Sequence, residues 1–249
     1  MPEPNPNQKT AVVTGASAGI GEATARALSA AGFSVVVGAR RIERLERLAA
    51  EIGARALPLD VTSSESVVAF AAQIPEVQLL VNNAGLSLGL DPIESAREED
   101  WRLMFETNVL GVMHLIRALL PKIEAMGDGH VINVGSTAGF ETYSGGAGYT
   151  ASKHALRAVT KTLRLELLGR KVRVTDVSPG LVETEFSLVR FAGDEEKAKA
   201  PYRGMTPLTA EDVADCVVWA ATRPSHVNID EIVVRPRDQA TSTLVHRRP

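Results

Sequence analysis

The sequence predicts one doubly wound parallel α/β domain, and two observations carry that expectation. Short apolar runs rich in β-branched residues recur at 10–14, 33–38, 55–59, 79–81, 131–134, 172–177 and 231–234, with longer segments of helical character between them. The runs are apolar almost throughout instead of alternating, as strands buried on both faces are. Strand and helix in turn give a parallel sheet with helices on both faces, a Rossmann-type arrangement of about seven strands. No internal repeat or linker divides the chain, so residues 1–249 read as a single domain.

Composition narrows the class. Hydrophobic residues make up 45% and charged residues 23%, and the net charge is −3, which suits an ordinary globule with a large core. There is no basic stripe for nucleic acid, and no apolar run reaches ~18 residues, so no membrane span is expected. One cysteine, Cys216, excludes an internal disulfide framework and suits a reducing compartment. The first ten residues are polar and Pro-rich, without the apolar core of a signal peptide. The expectation is a cytoplasmic protein. No His/Cys/Asp cluster has ligand spacing, so no metal is expected.

The first strand leads into Thr14-Gly15-Ala16-Ser17-Ala18-Gly19-Ile20-Gly21, a glycine turn that opens a helix running to about Ala31, with Gly32 placed to end it. Glycines permit the tight turn and let the backbone approach a pyrophosphate, while the helix N-terminus supplies N–H donors. The spacing is Gly-x-x-x-Gly-x-Gly, not the general Gly-x-Gly-x-x-Gly. The second strand, with Val35-Val36-Val37, ends at Ala39-Arg40-Arg41. In a dinucleotide fold this place faces the ribose 2′ position, where arginine suits a phosphate. Arg40 and Arg41 therefore favour NADP over NAD. Ile42, Leu45, Leu48, Ala49 and Ile52 then recur at helical spacing. Further on, Ser95-Ala96-Arg97-Glu98 reads as a capping box. Trp101 and Trp219 read as core, and His114 and His154 as structural or solvated.

In Tyr149-Thr150-Ala151-Ser152-Lys153 a phenol and an ammonium stand four apart, on one face of a helix. A cation beside a tyrosine favours the phenolate and brings its pKa toward neutrality, as general acid–base chemistry needs. Alone the pair is no more than a solvated helix face. Thr14-Gly15-x-x-x-Gly19-Ile20-Gly21, Asn82-Asn83-Ala84-Gly85 and Ser136, 13 residues before Tyr149, give it context.

Together these motifs resemble the short-chain dehydrogenase/reductase family, over about residues 9–236. The resemblance implies a catalytic set of Asn108, Ser136, Tyr149 and Lys153. In it Ser136 holds the substrate oxygen, Tyr149 exchanges its proton, and Lys153 lowers the Tyr149 pKa and binds the nicotinamide ribose. Asn108 would hold a helix distortion open so that water reaches Lys153. The implied NADP contacts are Gly15, Ser17, Ala18, Gly19, Ile20, Gly21, Arg40, Arg41, Asp60, Val61, Asn83, Ala84, Gly85, Tyr149, Lys153, Pro179, Gly180, Val182 and Thr184. Pro179-Gly180-Leu181-Val182-Glu183-Thr184-Glu185-Phe186-Ser187, Val189-Arg190-Phe191, His226-Val227-Asn228-Ile229 and Arg235-Pro236 resemble the NADP-dependent 3-hydroxy acid dehydrogenase branch. That branch interconverts small hydroxy acids such as serine, allo-threonine and 3-hydroxypropionate with their carbonyl forms. The alternatives are an NADPH carbonyl reductase of a larger secondary-metabolite ketone or aldehyde and, more remotely, a dinucleotide-binding sensor without catalysis. The family resemblance also implies a homotetramer that pairs helices at 110–120 and 149–168, where Leu115, Ile116, Leu119 and Leu120 form an apolar stripe.

Residues 181–208 break the α/β pattern and read as a mobile substrate lid at the carboxyl end of the sixth strand, where open α/β sheets bind ligands. Phe186 and Arg190, four apart, share a face. Arg190 is expected to hold a substrate carboxylate and Phe186 to shield the nicotinamide. Otherwise Arg190 pins the lid to Glu185 or Asp194, and Arg203 takes the carboxylate.

Overall fold

The computed structural model describes residues 8–248, so the reading of the first ten residues falls mostly outside it. Seven strands form one sheet: β1 (Thr10–Thr14), β2 (Ser34–Ala39), β3 (Arg55–Pro58), β4 (Leu79–Asn82), β5 (Gly129–Val134), β6 (Val172–Pro179) and β7 (Glu231–Val234). Their order is β3-β2-β1-β4-β5-β6-β7, and every pairing is parallel. The helices are α1 (Gly19–Ala30), α2 (Ile42–Ile52), α3 (Ser64–Ala72), α4 (Glu98–Phe105), α5 (Gly111–Ala125), α6 (Ala147–Glu166), α7 (Phe186–Arg190), α8 (Glu195–Lys199) and α9 (Ala210–Ala221).

Each strand buries side chains on both faces, which is why its run is apolar throughout. In β1, Val12 joins Phe70 of α3, Leu115 and Leu119 of α5 and Leu156 of α6. Its neighbours Ala11 and Val13 face the other way, onto Leu28 of α1, Leu45 of α2 and Val217 of α9. Three helices thus cover each face. Full burial of a leucine such as Leu119 is worth ~1.5–3 kcal/mol. β1 is the switch point: the chain goes to β2 and β3 on one side, then returns to β4 on the other. The crevice at the carboxyl ends of β1 and β4 is where such sheets take ligands.

Several expectations are corrected by the packing. Ser95 caps nothing: its hydroxyl donates to Pro92 O, Arg97 stands at the α4 N-cap, and no side chain caps it. A reciprocal capping box is found at Thr209 and Asp212, opening α9. Trp219 is 47% exposed, with Arg223 stacked on its ring, so it is not core. Leu115, Ile116 and Leu119 are buried against the sheet within the subunit, so that stripe is not available to pair copies. The continuous helical run Glu98–Ala125 is long and apolar enough to cross a membrane by length and composition only, and its apolar face is this core. Residues 181–208 are not without structure: α7, α8 and a 3-10 turn, Ala200–Tyr202, fold over the sheet's carboxyl edge.

Candidate active site

The glycine turn is shaped by close approach. Gly15, at φ +66°, has room for no side chain, because a Cβ would stand 2.8 Å from Ala84 Cα. A Cβ on Gly21 would stand 2.4 Å from Asn83 Nδ2 and 2.5 Å from Gly15 O. The β4 end is fastened to this turn by Thr14, whose hydroxyl accepts from the Asn83 and Ala84 amides at 3.0 Å each. Asn83 Nδ2 donates back to Thr14 O at 2.9 Å. No side chain caps the first turn of α1. These features fit a pyrophosphate, since helix N-termini and glycine turns bind anions through backbone N–H groups.

A cavity of about 810 Å³ opens above this turn. All the predicted site residues line it except Gly21 and Asn108. Gly21 is buried against the turn it permits. Asn108 lies behind the cavity wall, 1% exposed, in a single π-helical turn, Glu106–Leu110, between α4 and α5. Such widened turns free backbone groups and occur often at functional sites. Asn108 Oδ1 accepts from Leu86 N at 2.8 Å, and Nδ2 donates to Leu86 O at 2.9 Å and Ser152 Oγ at 3.0 Å. A Cβ on Gly85 would stand 3.1 Å from Asn108 Oδ1 and 3.7 Å from Lys153 Nζ, so one glycine separates the two.

Tyr149 and Lys153 share one face of α6, and both are buried there. Lys153 Nζ donates to Val134 O at 2.9 Å and lies 6.0 Å from the Tyr149 ring centre. Burial pushes the Tyr149 phenol well above its ordinary value; the nearby Tyr143 adds to this, while Ser136 and Arg190 oppose it. The expectation that Lys153 lowers it is therefore not met in the cofactor-free protein: burial dominates, and the groups that oppose it are Ser136 and Arg190. Burial also lowers Lys153, to about 8, against the pull of the buried Asp176 carboxylate.

Residues 181–208 supply the far wall. The Phe186 ring stands 5.6 Å from that of Tyr149, tilted by 60°. The Arg190 guanidinium lies 5.9 Å from the Tyr149 ring and 5.4 Å from that of Tyr143. Its Nε donates to Gly89 O and its terminal nitrogen to the Tyr143 hydroxyl, both at 3.1 Å. Neither Glu185 nor Asp194 holds it. Glu185 bonds Arg41 and Arg44, and Asp194 caps α8. Arg203 pairs with Glu196 and is mostly exposed.

Residues 9–194 match the family model described as short chain dehydrogenase. The chain is a short-chain dehydrogenase. It is 56% identical over 236 residues to an uncharacterised oxidoreductase of Mycobacterium tuberculosis, covering 95% of this chain and 94% of that one. The NADP-dependent 3-hydroxy acid dehydrogenase YdfG of Salmonella typhi is 46% identical over 244 residues, covering 95% and 98%. The solved closed form of serine dehydrogenase complexed with NADP+ superposes with a TM-score of 0.91 at 43% identity, covering 96% and 99%.

In this dehydrogenase, Tyr143, Arg44, Asp176 and Gln239 bear on the site without having been singled out in the sequence. Tyr143 is held by the Gly145-Gly146 turn, where a Cβ on Gly146 would stand 2.1 Å from its ring. That glycine pair just before Tyr149 is the one local signal that could have drawn attention to it. Gln239 Oε1 accepts from Leu181 N at 2.9 Å, fixing the start of the 181–208 segment from 58 residues away.

Burial of Lys153 has a cost with a definite pH window. Its ordinary value of 10.5 falls to about 8 in the fold, so between those values the unfolded chain binds the extra proton and stability rises with pH. Below pH 8 the ammonium costs up to ~3 kcal/mol. Lys153→Met is expected to stabilise the cofactor-free protein by ~1–3 kcal/mol at pH 7, and by much less near pH 10. Denaturant unfolding at both values checks this; an equal gain at the two would exclude ionisation as the cause.

Proposed function

We propose that this dehydrogenase interconverts a small 3-hydroxy acid and its carbonyl form with NADP(H). The observation that carries the reading is the Arg190 guanidinium held over the Tyr149 ring, a fixed cation beside the acid–base residue. Arginine has five N–H donors, and Arg190 uses two in the fold. The rest can meet a carboxylate in parallel hydrogen bonds. Serine, allo-threonine and 3-hydroxypropionate are the substrate class this favours.

The nicotinamide, when bound, supplies the hydride acceptor or donor. The other tasks fall to the chain. Gly15, Ser17, Ala18, Gly19 and Ile20 would hold the pyrophosphate side, Arg40 and Arg41 the 2′-phosphate, and Asp60 and Val61 the adenine. Asn83, Ala84, Gly85, Pro179, Gly180, Val182 and Thr184 would line the nicotinamide half. Ser136 would hold the substrate oxygen by a hydrogen bond. Tyr149 would accept the hydroxyl proton during oxidation and return it during reduction. Lys153, with one proton given to Val134, has two others for the ribose and for solvent. The charge of Arg190 favours the anion of the phenol. Asn108 would keep the π turn open behind Lys153 for the proton to leave. Phe186 would exclude water.

We also propose a cytoplasmic homotetramer. Its support is the apolar surface left on α6 and just beyond it, where Leu165 and Leu168 are 75% and 86% exposed.

Tyr149→Phe removes only the hydroxyl. Turnover is expected to collapse by ~10²–10⁴, the usual scale of acid–base catalysis, while NADPH binding, followed by fluorescence, stays within a few-fold. Turnover retained within tenfold would sink the assignment. A panel of small hydroxy acids with NADP+ against bulky ketones with NADPH tests the substrate class, and preference for the ketones would favour the carbonyl-reductase reading.

Arg190→Met is expected to lower kcat/KM for the hydroxy acid by ~1.5–3 kcal/mol, the scale of a charge-assisted contact. An uncharged alcohol of similar size should lose little. If both fall together, Arg190 only holds the lid to Gly89 and Tyr143. Light scattering at micromolar concentration is expected to give four times the 26.6 kDa chain mass; a monomer mass would refute the tetramer.

A further inference from the structure

The segment after β2 carries three arginines, Arg40, Arg41 and Arg44. Arg41 is tied twice: its Nε donates to Ser17 Oγ of the glycine turn at 3.0 Å, and its NH1 to Glu185 Oε2 at 2.8 Å. Arg44 NH1 donates to both oxygens of the same carboxylate, at 2.8 and 2.9 Å. Glu185 comes from the lid, 144 residues further along than Arg41, and stands at the N-cap of α7. The carboxylate is thus clasped by two guanidiniums at the edge of the cavity, beside the turn that would take the pyrophosphate. Arg41, then Arg44, hold its pKa below the usual carboxylate range. The side chains are 40–47% exposed, so water reaches the cluster and its partners can exchange.

We propose that Glu185 is an internal stand-in for the cofactor 2′-phosphate: it occupies Arg41 in the cofactor-free enzyme, competes with the phosphate for that arginine, and so ties the lid to the adenosine end of the cofactor. This rests on the reading of Arg41 as a 2′-phosphate contact. Carboxylate and phosphate ask the same thing of a guanidinium, charge-assisted hydrogen bonds in its plane. A phosphate carries more charge than a carboxylate, and the two repel when brought to one arginine. Arg44 lets Glu185 give ground without being left unpaired. Coupling between two sites is reciprocal: by whatever factor Glu185 weakens the phosphate, the phosphate loosens the lid's anchor. The lid then has two fastenings of different kind. Arg190 holds the substrate end to Gly89 and Tyr143, and Glu185 holds the adenosine end in a way that the cofactor itself relaxes. Cofactor affinity is lowered, and exchange of the spent form is eased.

Calorimetry with adenosine 2′,5′-bisphosphate and adenosine 5′-monophosphate isolates the adenosine end from hydride transfer. Glu185→Gln is expected to bind the bisphosphate ~3–10-fold more tightly than the wild type and the monophosphate within twofold. Glu185→Ala should do the same, with thermal melts confirming that both variants fold. Trypsin should cut the ligand-free variants faster at Lys197, Lys199 and Arg203, and the bisphosphate should speed cutting of the wild type there. Unchanged or weaker bisphosphate binding in both variants would overturn the competition. A wild type that binds the bisphosphate no better than the monophosphate would instead overturn the reading of Arg41, and the inference with it.

Discussion

The fastening of the β4 end to the glycine turn is the constraint on which the site depends. β1 and β4 pair in parallel, and just beyond that pairing their ends must come close enough for backbone to touch backbone. Gly15 and Gly21 supply the space, and the Thr14 hydroxyl and Asn83 amide close the gap. Everything a dinucleotide would touch is measured from this junction. To one side lie the arginines after β2; to the other lie Gly85 and, behind it, the Asn108 clamp. A methyl group on Gly21 would part the strands and move both halves.

The second constraint is the burial of chemistry that prefers water. Tyr149 is 9% exposed and Lys153 6%. The fold holds Lys153 with one carbonyl and a distant carboxylate, and leaves the phenol hard to ionise. This is a poor arrangement for stability and a usable one for proton transfer, because a group already short of solvent responds strongly to any charge placed next to it. The surrounding structure must over-determine such a site. Asn108 does so by binding the Leu86 backbone in both directions, so that the widened helical turn cannot close.

Much of this was legible in the sequence, because it depends on local pattern. β1, β2 and β4 announced themselves as uninterrupted apolar runs, and the glycine turn by its spacing. Tyr149 and Lys153 share a helix, so their common face followed from the period alone. The direction in which Lys153 reaches did not, since it is set by Val134 on a different strand. Glu185 and Arg41 are distant in sequence and meet only through the lid, which no local period encodes. Ser95 shows the opposite failure: its capping pattern is present, but the chain turns at Pro92 and the helix starts later. Trp219 failed because composition says what a side chain prefers, not which face of α9 carries it.

The strand order has a consequence for how the molecule is made. β2 pairs with β1, β3 with β2, β4 with β1, β5 with β4, β6 with β5 and β7 with β6, so each strand as it is synthesised finds its neighbour already in place. Each strand from β2 onward thus has a partner as soon as it is made, while β1 keeps its second edge open until β4 arrives, and such open edges invite aggregation. The half holding the glycine turn and the arginines can form while the half holding Tyr149 and the lid is still emerging from the ribosome. Recognition of the nucleotide's adenosine end thus matures before the machinery that uses it, and a growing chain could be steadied by the cofactor well before it is able to turn anything over.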